Sequence, residues 1–527
     1  MIQGAAQPAL AARSSSRPAV VATFWTLLLG LAAAKLAVHL LSSGLLTYGY
    51  MTDELYYLDC ADHLAWGYVD HPPLSVGILW LVRATLGDSL LALRLLPALA
   101  GCATVVLVGL MARELGGGRT AQGLAALAAL ISPVYLAVGA FYSMNAFEPA
   151  LWALVAYLLL RICNGASPRL WLLIGVVIGL GLLNKLSMFW LGLGLAVGLV
   201  LTPERRLVVT PWPWCAAAIA LALFAPHIVW QVQHDWATLE FMRNAGQYKL
   251  LSKSPFTFLG EQVLIMNPLV VPFWLAGLLY YFIAADGRPF RLLGWVWITV
   301  FLLLVGQEAT RSNYIAPAYA VLLAAGGVAV ERCARRRSWR WLPSAVAATF
   351  ALAGVALLPF AVDLLPPERF VAYQRAIGLD APTDDVTPIG NMPIHLALKF
   401  HAQAVFDAAS HAYAGLQPED RARVGILTRR FGEAASINFF GRPVGLPHAI
   451  SPQNNYWLWG PGAYTGEVML TVGYKEGELR ALFEHVDPAS AISCEYCMPE
   501  LTATPVYLCR GPRRPLAEIW STLKNYV

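Results

Sequence analysis

The chain has 527 residues, of which 58% are hydrophobic and only 13% are charged. Soluble globular proteins carry about 25% charged residues, so this composition excludes an ordinary soluble enzyme and predicts a membrane protein. The formal net charge of +5 is modest, and no nucleic-acid partner is expected.

The chain begins with a polar segment that precedes a long apolar run. Residues 1–18 include Arg13 and Arg17, and the apolar run covers 19–41. This run is too long for the hydrophobic region of a cleaved signal peptide and fits a first membrane span. We therefore predict a cytoplasmic N-terminus at 1–18.

The first external loop, residues 42–89, is rich in acidic and aromatic side chains. Asp53 and Glu54 are adjacent, so on a helix they point about 100° apart and serve different partners. One fits a general base that takes a proton from an acceptor hydroxyl, and the other fits a group that binds a cation or a sugar. The alternative is a solvated acidic loop that caps a helix start.

The same loop continues with Asp70 and His71, followed by two prolines that predict a turn. Residues 74–87 then predict an amphipathic helix along the membrane surface. In the functional interpretation, Asp70 and His71 line a polar pocket. In the alternative interpretation, His71 only satisfies the turn.

Further apolar segments follow, and together with the first they predict about eleven transmembrane helices. Their lengths exclude a barrel, whose strands alternate, and backbone groups in lipid require helices. The further segments are 90–112, 120–140, 146–161, 170–184, 186–202, 213–231, 259–284, 291–306, 313–330 and 341–360.

Several charged residues lie near the predicted outer ends of these spans. Glu148 opens one span, and acids near the membrane are costly and tend to be functional; the alternative is a carboxylate favoured by the helix dipole. Lys185, Arg243 and Arg311 are cations on the same face. They indicate an anionic ligand such as a lipid phosphate, with snorkelling to ordinary headgroups as the alternative.

Basic residues alternate between the loops and indicate the orientation. The positive-inside rule keeps the N-terminus inside, and an odd number of spans places the C-terminus outside. We predict a transmembrane catalytic domain at 19–362 and a soluble extracytoplasmic domain at 363–527. The inside loops hold Arg113, Arg119, Arg161, Arg169, Arg205, Arg206, Arg288, Arg291, Arg332, Arg335, Arg336, Arg337 and Arg340, and the outside loops hold Asp235, Glu240 and Glu308 besides the acids of the first loop.

The composition changes after the last apolar run, because charge, glycine and proline rise from about Pro366 onward. Segments 425–427 and 467–472 predict short strands, and 391–410 predicts a helix. These segments predict a small α/β domain.

Three cysteines lie near the end of this domain: Cys494, Cys497 and Cys509. Thiols outside the cytoplasm tend to oxidise, so we predict a Cys497–Cys509 disulfide that closes a hairpin. A zinc site is the alternative, although three cysteines without a nearby histidine make a weak one.

Four segments in this order resemble glycosyltransferase family 39, which includes protein O-mannosyltransferases and bacterial lipid A aminoarabinose transferases. They are the pair Asp53 and Glu54, the segment 70–73, which ends in two prolines, the glycine-rich segment 179–186 and the segment 311–317. The endings around Cys497 and Cys509 are similar to some bacterial members.

The resemblance implies a C-type membrane glycosyltransferase in the inner membrane that uses a polyprenyl-phosphate sugar donor at its extracytoplasmic face. It implies Asp53 as the catalytic carboxylate and Glu54 as its partner. Lys185 and Arg311 are implied to contact the donor phosphate, with Tyr314 beside them.

Two further positions follow from the resemblance. Glu148 stands where family members usually carry Asp. In the aminoarabinose branch a carboxylate before the proline turn binds a metal. The resemblance therefore implies Asp70 as a candidate ligand of a divalent metal. It does not imply that any cofactor is required.

The resulting hypothesis is inverting transfer of a hexosyl or pentosyl group to an acceptor that is a lipid, a glycan or a protein. A transporter or flippase of lipid-linked sugars is the alternative; it would need polar residues near mid-membrane and two matching halves. Here the acids cluster at one face, which favours the enzyme.

Overall fold

The computed structural model of the protein describes residues 18–307, 309–379 and 390–527. The predicted N-terminal segment 1–18 lies outside these residues except for Pro18, and so does Glu308. The described chain is mainly helical and ends in a small domain with one sheet, which confirms the predicted fold class.

Sixteen α-helices form the membrane part of the described chain. The helices are α1 (Pro18–Gly44), α2 (Thr52–Asp62), α3 (Leu74–Leu86), α4 (Leu90–Glu114), α5 (Arg119–Ile131), α6 (Pro133–Ala137), α7 (Met144–Cys163), α8 (Leu170–Asn184), α9 (Met188–Leu201), α10 (Pro211–Gln233), α11 (Ala237–Tyr248), α12 (Pro255–Ile265), α13 (Val271–Ile283), α14 (Arg291–Val305), α15 (Tyr319–Arg336) and α16 (Leu342–Ala361).

Seven helices of the described chain are long and apolar enough to cross a bilayer, and the bent pair of α12 and α13 makes an eighth. The bend of 97° falls beside Pro268, where a proline ring disfavours continued helix. The other three predicted spans correspond to α5, α8 and α9, which are 13, 15 and 14 residues long. Proline also explains why α5 ends early, since Pro133 separates it from α6.

Small residues let the membrane helices pack closely. A Cβ added to Gly175 of α8 would lie 2.5 Å from the Ala216 carbonyl oxygen of α10. A Cβ on Gly326 of α15 would lie 2.5 Å from the Phe273 carbonyl oxygen of α13. Lipid supplies no hydrophobic force between helices, so this close backbone approach is a main source of packing energy.

The C-terminal part contains seven further helices and five strands. They are α17 (Pro367–Ile377), α18 (Ile394–Ala414), α19 (Pro418–Arg421), α20 (Phe431–Gly441), α21 (Asn455–Trp459), α22 (Glu476–Leu482) and α23 (Leu516–Ile519), with β1 (Gly425–Thr428), β2 (Ala449–Ile450), β3 (Val468–Val472), β4 (Phe483–Ala491) and β5 (Pro505–Pro512). The predicted helix and both predicted strands are confirmed by α18, β1 and β3.

The strands form one sheet in the order β2-β1-β3-β5-β4. Strand β1 runs parallel to β2 and β3, whereas β5 runs antiparallel to both β3 and β4. Strands β1 and β3 are buried along their whole length, as is typical of strands covered on both faces.

The predicted Cys497–Cys509 disulfide is wrong. Cys497 instead pairs with Cys494, three residues earlier, across a Cα–Cα distance of 5.5 Å. Cys509 is a buried free thiol in β5, opposite Met469, and its sulfur lies 3.6 Å from the Thr471 hydroxyl. The side chain therefore belongs to the core of the sheet, while the two bonded cysteines share the loop after β4.

The C-terminal domain is fixed to the membrane part by buried polar contacts. Asp59 of α2 accepts a hydrogen bond of 2.9 Å from Asn438 of α20 and another from the Tyr456 hydroxyl. Lys399 of α18 forms a 2.8 Å ion pair with Asp363, which follows the last span, and both side chains are 1% exposed. These contacts hold the C-terminal domain against α2 and the end of the last span.

The last residues of the chain form a second attachment, here called the tail (residues 524–527). Lys524 pairs with Glu240 of α11 at 2.7 Å, and Asn244 of α11 donates to the Tyr526 carbonyl at 2.9 Å. The buried Tyr526 ring packs with Val69 and Trp230. The tail thus holds α11 against the C-terminal domain.

Candidate active site

A cavity of about 670 Å³ lies between the membrane helices and the C-terminal domain. One part of its wall is apolar and comes from the helices α6, α12 and α16. The other part is polar and comes from α2, the end of α11, the segment before α15 and the C-terminal domain. The apolar part includes Pro133, Val134, Val138, Leu264, Ile265 and Leu357.

Asp53 lies in the first turn of α2, and its half-buried side chain lines this cavity. Burial raises the pKa of the Asp53 carboxyl above its ordinary value of 3.8, and the nearby positive charges of Lys249 and Arg311 oppose this rise. A carboxylate with a raised pKa beside a cavity is suited to accept a proton during a reaction.

Glu54 lies outside the cavity wall, because successive helical residues point in different directions. Its carboxylate accepts hydrogen bonds from Arg94 at 2.8 and 2.7 Å. It also accepts from the backbone amides of Met51 at 3.0 Å and Tyr142 at 2.8 Å. Glu54, the predicted partner of Asp53, thus fixes the start of α2 through contacts outside the cavity.

Asp70 and His71 both line the cavity. Asp70 accepts hydrogen bonds from the Tyr56 hydroxyl at 3.0 Å and from the side-chain amides of Asn454 and Asn455, each at 3.3 Å. The two asparagines belong to the C-terminal domain, so Asp70 joins both halves of the site.

These partners do not fit a divalent metal ion at Asp70. The described residues contain no group of three or more His, Cys, Asp and Glu side chains placed to hold one. A hydroxyl and two amide groups donate to the carboxylate, whereas Mg²⁺, Ca²⁺ or Zn²⁺ needs several oxygen, nitrogen or sulfur ligands that face it with lone pairs.

Glu148 and Lys185 form an ion pair behind the cavity wall. The Lys185 ammonium lies 2.8 Å from Glu148, whose other oxygen bonds the Ser187 hydroxyl. The same ammonium lies 4.9 Å from the ring centroid of Tyr314, and this ring does line the cavity. In this structure Lys185 contacts Glu148 and supports the Tyr314 ring, and its contact with a ligand stays a prediction.

The membrane part contributes two cations to the cavity wall: Arg311, which was predicted to contact the phosphate, and Lys249, another basic residue of the same predicted outer face. Lys249 follows the last residue of α11, and Arg311 precedes the 3₁₀ helix Ser312–Ala318. Arg243 was also predicted, but it is exposed on α11 and lies outside the wall. Two positive side chains facing Asp53 make this region suitable for a phosphate.

The C-terminal domain supplies the remaining wall, which no sequence motif indicated. His395 and His401 line the cavity from α18, and Arg430 and Glu433 line it from the start of α20. A Cβ added to Gly432 would lie 2.9 Å from the Thr52 side chain, so this helix start touches the residue before Asp53. Burial raises the pKa of Glu433 to about 7, although backbone amides, including that of Arg430 at 3.0 Å, bond its carboxylate.

Comparison with known proteins places this geometry in context. A family model described as dolichyl-phosphate-mannose-protein mannosyltransferase matches residues 70–230. No curated relative matches the sequence. Among solved structures, ArnT from Cupriavidus metallidurans in the apo state has 17% identity and a TM-score of 0.60, over 93% of this chain and 98% of that chain.

Two further structures are similar. ArnT from Cupriavidus metallidurans bound to undecaprenyl phosphate has 16% identity and a TM-score of 0.58, over 92% of this chain and 98% of that one. The archaeal oligosaccharyltransferase AglB from Archaeoglobus fulgidus, in complex with an inhibitory peptide and a dolichol-phosphate, has 14% identity and a TM-score of 0.50, over 79% and 63%. The family model supports the resemblance over residues 70–230, and the solved structures confirm the predicted architecture.

Proposed function

We propose that the protein transfers a sugar from a polyprenyl-phosphate-linked donor to an acceptor hydroxyl, with inversion, at the extracytoplasmic face of the inner membrane. The observation that carries this proposal is the composition of one cavity. Asp53 faces Lys249 and Arg311 in its polar part, and an apolar part continues between membrane helices. A lipid phosphate and its sugar require such a combination of surfaces.

The apolar wall accommodates the isoprenoid chain, whose phosphate then lies at Lys249 and Arg311. As the acceptor oxygen attacks the anomeric carbon, Asp53 takes its proton and the bond from that carbon to the phosphate oxygen breaks. The two cations stabilise the charge that develops on the departing polyprenyl phosphate. Attack from the side opposite the leaving group inverts the anomeric carbon.

At their low sequence identity, the solved structures show the fold alone. The ligands that two of them hold support the proposed class of donor. One similar ArnT structure holds undecaprenyl phosphate, and the AglB structure holds dolichol-phosphate. The proposed orientation is supported by the alternating arginines, which favour an outer position for the loop of Asp53 and the C-terminal domain.

The test replaces Asp53 by Asn in the purified full-length protein. We expect Asp53→Asn to lower transfer from radiolabelled polyprenyl-phosphate sugars to envelope extracts by about 10²–10⁴-fold, the usual contribution of general base catalysis. Asp62→Asn is the matched control, because Asp62 is exposed on the same helix and pairs with Arg83. Full activity of Asp53→Asn, or no transfer by the native protein from any such donor, contradicts the proposal.

A further inference from the structure

The wall that the C-terminal domain contributes to the cavity contains buried polar atoms without a hydrogen-bond partner among the described residues. They are Nδ1 and Nε2 of His401, Nε2 of His395 and Oδ1 of Asn454. His401 is 3% exposed and Asn454 is 1% exposed, and all three side chains line the cavity. A buried polar group without a hydrogen-bond partner is costly, so such a cluster in one cavity points to a ligand that satisfies it.

The unpartnered groups of this wall are neutral. Burial lowers the pKa of His401 to about 3, helped by the charge of Arg430. Burial likewise lowers the pKa of His395 to about 4, and the positive charge of Lys399 adds to this effect. A neutral imidazole donates one hydrogen bond and accepts another, and a hydroxyl group does the same, so the two match each other.

The charged groups of this wall already have partners. Arg430 pairs with Glu500 at 2.6 Å, and the Glu433 carboxylate is bonded by backbone amides at the start of α20. The cations Lys249 and Arg311 come from the membrane part, on the other side of Asp53. A phosphate on the acceptor would therefore displace an existing ion pair, whereas uncharged hydroxyls would not.

We propose that His395, His401 and Asn454 form an acceptor wall that binds a neutral, hydroxyl-rich acceptor, namely a saccharide unit. This inference rests on the proposed function, since it names the acceptor of the same cavity. The position of the wall agrees with that role. Gly432 beside Thr52 brings the C-terminal domain against the first turn of α2, so a saccharide on the wall presents a hydroxyl towards Asp53.

The test measures binding by saturation-transfer NMR with the full-length protein in nanodiscs, using methyl glucoside and glucose phosphate as probes. We expect methyl glucoside to bind and His401→Leu to weaken it about tenfold, the loss of one hydrogen bond. His401→Gln, which still donates and accepts, should retain most of the binding. His411→Leu is the matched control, because His411 is exposed on the same helix.

Undecaprenyl phosphate binding, measured on the same samples, separates the two proposals and reports folding. Methyl glucoside bound as expected without undecaprenyl phosphate binding supports the acceptor wall and contradicts the proposed function. Undecaprenyl phosphate binding without methyl glucoside binding overturns the acceptor wall alone. Tighter binding of glucose phosphate than of methyl glucoside, or equal binding by His401→Leu and native protein, also overturns it. If His401→Leu does not fold, His395→Leu, at a more exposed position, replaces it in the same binding measurement with the same expected loss.

Discussion

Arg94 holds both carboxylate oxygens of Glu54, at 2.8 and 2.7 Å, in an ion pair that solvent does not reach. The side chains are 2% and 0% exposed. The pair joins the first turn of α2 to the first membrane turn of α4, one residue away from the side chain proposed to do the chemistry. Adjacent acids in the sequence therefore have separate tasks, and these can be separated by mutation.

We expect Glu54→Gln to destabilise the protein by about 3–5 kcal/mol, because it leaves the Arg94 charge buried without its partner. The measurement is thermal unfolding of the detergent-solubilised protein, followed by aggregation. Asp53→Asn should unfold at or above the native temperature, because burial already disfavours the charged Asp53 carboxylate. An unchanged unfolding temperature for Glu54→Gln would show that Glu54 is not a structural anchor.

The charge of Lys249 should shift the pH dependence of transfer. Lys249 lowers the raised pKa of Asp53, so its removal raises that pKa further. The acid limb of kcat/KM should therefore move to higher pH in Lys249→Gln, by about one pH unit. Arg243→Gln, a change at an exposed position of the same helix, should leave the acid limb in place. An equal shift in both variants would contradict the assignment of Lys249 to the phosphate site.

Asp59 should make the stability of the domain contact depend on pH. Burial raises the pKa of Asp59 to about 6, although Asn438 and Tyr456 donate to it. A carboxyl pKa raised from 3.8 to about 6 favours the folded state at low pH, and this contribution is lost as the pH rises from about 4 to about 6 and stays constant above that. Asp59→Asn keeps an oxygen acceptor without the charge, so its unfolding temperature relative to that of the native protein should rise between about pH 4 and pH 6 and level off at higher pH. A difference that does not change between pH 4 and pH 7 contradicts this assignment.

The cysteine pairing is testable by mass spectrometry. Alkylation in denaturant without reductant should modify the six cysteines that are free and leave Cys494 and Cys497 unmodified. Reductant should then expose both together. Protection of Cys509 along with Cys497 would restore the pairing that the sequence predicted.

The tail should control the mobility of α11. Tyr526→Ala removes a buried ring that packs against Val69 and Trp230, and large-to-small changes of this kind cost about 3–5 kcal/mol. We expect faster amide hydrogen exchange in α11 and weaker binding of undecaprenyl phosphate, because Lys249 follows that helix. Tyr496→Ala, at a different contact of the same domain, should leave exchange in α11 unchanged.

The membrane spans could be predicted because apolar length is a local property, and the breaks at Pro133 and Pro268 were the points where the structure departed from continuous helices. Asp53, Asp70, His71, Arg311 and Tyr314 could be found because their types and order form a motif. All five line one cavity.

The rest of the site could not be predicted, because it depends on contacts between distant segments. Glu54 meets Arg94 forty residues later, and Asp70 meets Asn454 across 384 residues. Composition does not distinguish a lysine that faces a cavity, such as Lys249, from one that is held behind it, such as Lys185. The partner of Cys497 was predicted wrongly for the same reason. The choice between Cys494 and Cys509 depends on which of them lies inside the sheet, and the sequence does not show this.

The contact of Asp70 with Asn454 also bears on biosynthesis. Asp70 emerges early from the ribosome, but its partner is translated nearly four hundred residues later, after the last span. The cavity therefore lacks one side throughout membrane insertion and becomes complete only when the final domain has folded. Under the proposed function, a chain that still lacks this domain is expected not to consume the donor lipid.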